Sequence, residues 1–408
     1  MTAEIAVMNK NGIALAADSA VTIGGKKVYN SANKLFTLSK YHPVGILIYG
    51  SAELNGIPWE LIIKEYREQI KDTNFDTIQN FYDDFKDFLK HPRWRITEEM
   101  QGQTIRLLVS SFCEFFHAEY VKRNYGKNPS VYENELFRDT LSEFDNLLKD
   151  VKSNPYKNFS NYNLPKFIKT IYQGAHINIS DAQIQQLLDL FVKSLNSNYP
   201  FFNNISGIAI AGYGKEDIYP SLFSFETAGF VCNQLHLMRE YSSKITENNN
   251  AVVRPFAQDK MAVLFMDGIH PECKDFLDSQ AAELVNKLSQ KVIQNLSPHN
   301  SRQEKIIQAQ FNDIYRSFIE NITQFCRSKF SNPRVNSIAN LSKTELAKMA
   351  ESLVELHALE KQVSMEVETV GGPVDVAVIS KHDGFIWLKR KLYFNPELNH
   401  CFFNKYMK

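Results

Sequence analysis

The sequence predicts a layered α/β core carrying a helical insertion, and three observations lead there. Residues 2–50 read as short strands, as does the stretch from Asp375 to Lys389. Residues 57–204 read instead as amphipathic helices, and strand signals return at Ile205. Neither end holds enough strands to close a sheet alone, so both belong to one core, 1–56 with 205–408, around an insertion at 57–204.

The first strand pair lies in TAEIAVMNKNGIALAADS. Ile5 and Val7 alternate along one strand, Asn11-Gly12 supplies the turn, and the apolar run Ile13–Ala17 ends on Asp18. Val28-Tyr29, Lys34–Leu38 and Val44–Tyr49 predict further strands, the last closing on Gly50-Ser51-Ala52-Glu53. From Pro58 the apolar spacing changes to three and four residues. WELIIKEYREQI, TIQNFYDDFKDFL, TIRLLVSSFCEFFHAEYV, LFRDTLSEFDNLLKDV and QIQQLLDLFVKSL predict about five helices, separated by HPRW, YGKNPS and KSNPYKN. The aromatic residues of this block (Trp59, Phe81, Phe85, Phe88, Phe112, Phe115, Phe116) fall at helical spacing, which favours core over a binding platform.

After the block, SGIAIAG (206–212), SLFSF (221–225) and AVLFM (262–266) predict strands, and Glu247–Asn250 a loop. Helices follow over Cys273–Leu296, Arg302–Phe330 and Lys343–Gln362. The last opens on Ser342 with Glu345 three residues on, the spacing of a capping box. DVAVIS (375–380), the turn His382-Asp383-Gly384 and FIWLK (385–389) close the chain as a hairpin.

Composition narrows the function classes. Lys plus Arg and Asp plus Glu both total 46, so charge gives no reason to expect nucleic acid or an anionic membrane as partner. The five cysteines are far apart and read as reduced thiols of a cytoplasmic protein. The N-terminus lacks the pattern of a secretory signal, and no uncharged apolar run reaches about 18 residues. Ten scattered histidines form no metal-ligand grouping. Gly24-Gly25-Lys26-Lys27 lacks the spacing of a phosphate loop, and no other motif calls for a cofactor. Cys113 and Cys232 sit in apolar or mixed segments and read as packed thiols.

What remains is chemistry at the N-terminus. A threonine hydroxyl needs a base, and a free α-amino group, with an ordinary pKa of about 7.7–8.0, is one. Thr2 carries both groups once Met1 is removed, and its small side chain suits that removal. Such a site also needs a cation fixed by a carboxylate, and backbone N–H donors for the oxyanion. Asp18, Lys34 and Gly50 can fill these roles. Each also has an ordinary reading: Asp18 as a turn cap, Lys34 as a strand-edge charge, Gly50 as a turn, Thr2 as a second residue like any other.

The stretch TAEIAVMNKNGIALAADSAVTIGG, then NKLFTL, then YGSAELNG, resembles the opening of proteasome β subunits and their bacterial relatives among the N-terminal-nucleophile (Ntn) hydrolases. The chain resembles a divergent bacterial-type member with a large helical insertion. SGIAIAGYGKEDIYPSLFSFETAG, LSKTELAKMAESLVELHALEKQV and TVGGPVDVAVISKHDGFIWLKRK are similar to later segments of that family. The resemblance implies an α+β fold, a four-layer αββα sandwich of two antiparallel sheets. It implies Thr2 as nucleophile, Asp18 as partner of Lys34, and Gly50 as oxyanion donor; Asp18 and Lys34 stand sixteen and thirty-two residues after Thr2, as in the family. The implied activity is that of a threonine peptidase or amidohydrolase acting on a peptide or other amide. Self-association, including rings, and an unfoldase or regulator are the implied partners. An inactive scaffold and an amidase for a small non-peptide substrate are the alternatives. Two departures stand out. The segment before Gly371-Gly372, Glu366-Val367-Glu368-Thr369-Val370, lacks the family's aspartate–serine pair, and the 57–204 block is foreign to ring-forming subunits.

Overall fold

The computed structural model describes residues 3–23, 27–124, 126–151, 159–197, 201–203, 205–257, 259–295, 301–364 and 371–401. The chain opens with strands β1 (Ala3–Asn9), β2 (Gly12–Ala17), β3 (Val21–Ile23), β4 (Lys27–Tyr29), β5 (Leu35–Thr37), β6 (Val44–Gly50), β7 (Glu53–Leu54) and β8 (Ile57–Pro58). Helices α1 (Trp59–Ile70), α2 (Ile78–Leu89), α3 (Glu98–Arg123), α4 (Asn134–Leu147), α5 (Leu164–Gly174) and α6 (Asp181–Ser194) follow. Next come β9 (Ser206–Gly212), β10 (Ser221–Val231), β11 (Gln234–Lys244) and β12 (Ala251–Ala257). The chain ends with α7 (Lys260–Asp267), α8 (Pro271–Gln294), α9 (Ser301–Cys326), α10 (Asn332–Ile338), α11 (Lys343–Val363), β13 (Asp375–Ser380) and β14 (Gly384–Lys389). The class is α+β, with antiparallel sheets, in two compact units: Met1–Ala32 with Lys244–Lys408, and Asn33–Ser243.

In the first unit a five-stranded sheet runs β12-β1-β2-β13-β14. Every residue of β1 and β2 is buried, so both faces of this hairpin are covered, which explains why the two strands read as near-continuous apolar text. One face carries Ile5, Val7, Ala14, Ala16, Val376 and Val378 against Leu346, Ala350 and Leu353 of α11. The Ser342–Glu345 capping box expected from sequence starts that helix.

The turn between β1 and β2 is centred one residue earlier than expected. Asn9 pairs with Gly12, leaving Lys10-Asn11 as the loop. The cause is the Asn9 side chain. Its Oδ1 accepts from Asn11 N–H at 2.8 Å, while its amide donates to the carbonyls of Ile338 and Leu341, both at 2.9 Å. Gly12 serves instead as a point of close approach, since a Cβ there would sit 2.7 Å from the Ile379 carbonyl.

In the second unit the sheet runs β11-β10-β9-β6-β5. Helices α1 and α2 cover one face, packing Trp59, Ile63, Phe81 and Phe85 on Ile46, Ile210 and Phe225. Helices α3–α6 enclose a second aromatic core that reaches Val231 of β10. Of the aromatic residues assigned to core from sequence, Trp59, Phe81, Phe85, Phe88, Phe112 and Phe116 are all 5% exposed or less, and Phe115 is partly buried.

Several elements differ from the sequence reading. AVLFM lies in helix α7, not a strand; a five-residue apolar run cannot be assigned by periodicity, and Gly268 at φ 73° closes the helix. Strands β11 and β12 were not expected. Pro255 interrupts the pattern of β12 and is tolerated because β12 is an edge strand. Helix α5 adds a sixth helix between residues 57 and 204, where Pro165 at its first turn reads in isolation as a breaker. Among the described residues no helix is long and apolar enough to cross a membrane.

Candidate active site

Thr2 lies outside the described residues, as do Glu366–Val370; the site begins at Ala3. Ala3 and Asp18 are joined by two hydrogen bonds where β1 and β2 end together. Asp18 N–H donates to the Ala3 carbonyl at 3.1 Å, and Ala3 N–H donates to Asp18 Oδ1 at 3.1 Å. The other carboxylate oxygen accepts from Ala20 N–H at 3.2 Å and from Gly371 N–H at 3.1 Å. Asp18 is wholly buried, so these three backbone donors replace water around a charged acceptor. Ser19 ties the same corner to the returning chain: its N–H donates to Gly371 O at 3.1 Å and its hydroxyl to Pro373 O. Asp18 therefore does more than cap a turn. It locks the residue that follows Thr2 onto a segment 353 positions away.

Lys34 and Gly50 lie close together on neighbouring strands of the second unit. Lys34 directly precedes β5, and its carbonyl accepts from Ile48 N–H at 2.8 Å, two residues before Gly50. Lys34 is only 3% exposed, so although β5 is the edge strand of its sheet, this residue is not a solvated edge charge. Gly50 ends β6 at φ 74°, where a Cβ would sit 2.2 Å from the Ile205 carbonyl, so only glycine fits. Ser206 fastens this corner by donating to Ser51 O at 3.0 Å and Glu53 O at 3.1 Å.

Further groups near the chain start carry signals that the sequence reading passed over. Ala257 pairs with Ala3 across the ladder and holds φ 59°, a left-handed conformation costing a non-glycine residue roughly 1–2 kcal/mol. His357 and Lys361 of α11 are 1% and 6% exposed. They continue the apolar line Leu346-Ala350-Leu353, and polar residues in such a line are the signal that could have singled them out. His357 Nδ1 lies 2.7 Å from the Leu353 carbonyl, which makes Nδ1 the protonated nitrogen. Burial holds the imidazole below its ordinary pKa, against the opposing pull of that carbonyl and of the Asp259 and Glu360 carboxylates. Gly371 also borders an open groove of about 680 Å³, together with Glu351, Glu355, Gly372, Lys389 and Lys391. Among the described residues no cluster of histidine, cysteine and carboxylate side chains could hold a metal ion.

No family model and no curated protein matches the chain. Among solved structures it is similar to the Anbu (Gly-1) mutant from Hyphomicrobium sp. strain MC1, at 10% identity and TM-score 0.28, covering 99% of this chain and 94% of that one. Anbu from the same strain gives 8% identity and TM-score 0.30, with 99% and 94% covered. Anbu (ancestral beta-subunit) from Yersinia bercovieri gives 8% and 0.27, with 99% and 95% covered. Superpositions at these scores carry no argument about this chain. The sequence-based assignment to the proteasome β-subunit-like Ntn hydrolases is corrected accordingly: no family model or curated protein supports it, and the structures found, Anbu proteins, establish no Ntn-hydrolase fold here. The physical reason is plain in the structure. The opening motif is two short apolar strands with a turn, and burial on both faces is enough to dictate such text without common descent.

Proposed function

We propose that the chain hydrolyses amide bonds with Thr2 as an N-terminal nucleophile, as a threonine-type peptidase or amidohydrolase. The observation that carries this reading is the hold of the buried Asp18 carboxylate on Ala3 N–H, which fixes the backbone at the position next to Thr2. Loss of Met1 frees the Thr2 amine, which takes the hydroxyl proton as Oγ attacks the carbonyl carbon of a peptide or other amide. In this reading Asp18 is the carboxylate, Lys34 the cation that favours the free amine, and Gly50 the oxyanion donor. The amine returns its proton to the leaving nitrogen as the C–N bond breaks. Water then hydrolyses the ester on Thr2. The helical block 57–204 is an insertion in this core.

The test is the intact mass of the purified protein before and after a β-lactone or epoxyketone, beside a Thr2→Ala variant. Loss of Met1 and one adduct, absent from the variant, is the expected result. Retained Met1 sinks the proposal, because the amine is then in a peptide bond. Met1 loss with no adduct and no hydrolysis of a peptide library leaves a non-catalytic scaffold.

A further inference from the structure

Helices α8 and α9 form a hairpin that leaves a second apolar face in water. Six residues separate them, and Tyr315 donates its hydroxyl to Asp278 Oδ1 at 2.7 Å, about equally far from the link on either side. The pair is therefore antiparallel. The inward line of α8 is Ala282-Val285-Ser289-Ile293, and Phe311, Tyr315 and Ile319 answer it from α9. A second line on α8 is Leu277, Leu284, Leu288 and Val292, and on α9 Ile314, Phe318 and Phe325; these residues are 42% to 61% exposed.

The spacings are four, three and four residues along 277-281-284-288 and along 314-318-321-325, the repeat of helices that pack against partner helices. At 100° per residue each exposed line stands about a quarter turn from its inward line, in the same rotational sense on both helices. Because the helices are antiparallel, both lines fall on one side of the hairpin. Helices with inward faces on two sides are the building unit of a four-helix bundle.

We propose that this face pairs with the same face of a second copy of the chain, forming a two-fold four-helix bundle with α8 antiparallel to its counterpart. Seven half-exposed side chains amount to roughly 600 Å² of apolar surface per copy, most of the ~800 Å² that each side of a standard interface contributes and at the upper limit of what a monomer leaves in water. A two-fold axis perpendicular to the hairpin sets α8 antiparallel to its counterpart. The midpoint of the exposed line, near Leu284, then lies on the two-fold axis.

Sedimentation velocity on the full chain at micromolar concentration tests this. The expected mass is an even multiple of 47.0 kDa. Leu284→Glu with Phe318→Glu should halve it with an unchanged far-UV circular dichroism spectrum. In a background of Cys273→Ser and Cys326→Ser, Leu284→Cys should form an interchain disulfide and Leu277→Cys should not. A monomeric wild type overturns the proposal, including one recovered as a monomer on phosphatidylglycerol vesicles. So does an assembly whose mass survives the double glutamate variant, or cross-linking through Leu277→Cys rather than Leu284→Cys.

Discussion

Replacing Asp18 by asparagine tests how far the corner at Ala3 depends on a carboxylate. The change keeps size and shape but leaves one oxygen where there were two. With that oxygen facing Ala20 and Gly371, two of the three hydrogen bonds survive as neutral ones, and the new amide points its N–H groups at Ala3 N–H. Bonds to a charged acceptor contribute about 1.5–3 kcal/mol against about 1 for neutral ones, and a buried donor left unmatched costs about 1–3 kcal/mol. Because Asp18 is 0% exposed, water cannot fill the gap. The expected destabilisation is about 3 kcal/mol, in a range of roughly 2–5. Urea denaturation followed by circular dichroism would register it as a lower midpoint with little change in slope. A variant within about 0.5 kcal/mol of wild type, the ordinary scatter of a surface substitution, would refute the claim that three backbone donors depend on this carboxylate.

Two other changes probe the framework. Asn9→Ala removes both donations to the Ile338 and Leu341 carbonyls and the acceptor of Asn11 N–H, for an expected loss of about 2–3 kcal/mol in the urea midpoint; Asn9→Asp, which keeps only the acceptor, should recover little of it. His236 is 2% exposed, and burial lowers its pKa to about 4 despite a hydrogen bond involving the Leu195 backbone. Above about pH 6.5 the imidazole is neutral in both states and its contribution is complete. As pH falls toward 4 the unfolded chain takes up a proton that the buried ring refuses, so stability declines by up to about 3 kcal/mol. His236→Leu should flatten the difference in urea midpoint between pH 7.5 and 4.5; an unchanged difference would place the sensitivity elsewhere.

Where sequence and structure agree, local chemistry decided the outcome. The β13–β14 hairpin, the Ser342 capping box and the α1 and α2 helices each carry their period and their punctuation within a dozen residues. Where they part, a distant group intervened. Asn9 moved the first turn by one residue through carbonyls more than 300 positions away. Pro255 hid a strand whose edge position only the assembled sheet reveals. At the site, Asp18 and Lys34 could be picked out as residue types at a spacing. That Gly371 N–H grips the same carboxylate was invisible, because a backbone donor leaves no mark in the sequence. The family assignment failed for a related reason: apolar hairpin text is what any doubly covered strand pair must contain.

The order of strands in the first sheet bears on how the chain is made. β1 and β2 are synthesised before their outer neighbours: β1 finds its own only at Ala251–Ala257 and β2 only at Asp375–Ser380. Until β12 and then β13 are made, the hairpin carries apolar faces and open ladder edges, the combination most prone to pairing with a stranger. The second unit, Asn33–Ser243, is continuous and can collapse in the meantime. Closing the first sheet joins segments hundreds of residues apart, so it is the slow step of folding. A nascent chain halted before Gly371 should stay bound to chaperones with its future site unformed, since Gly371 closes on Asp18 and β13 on β2.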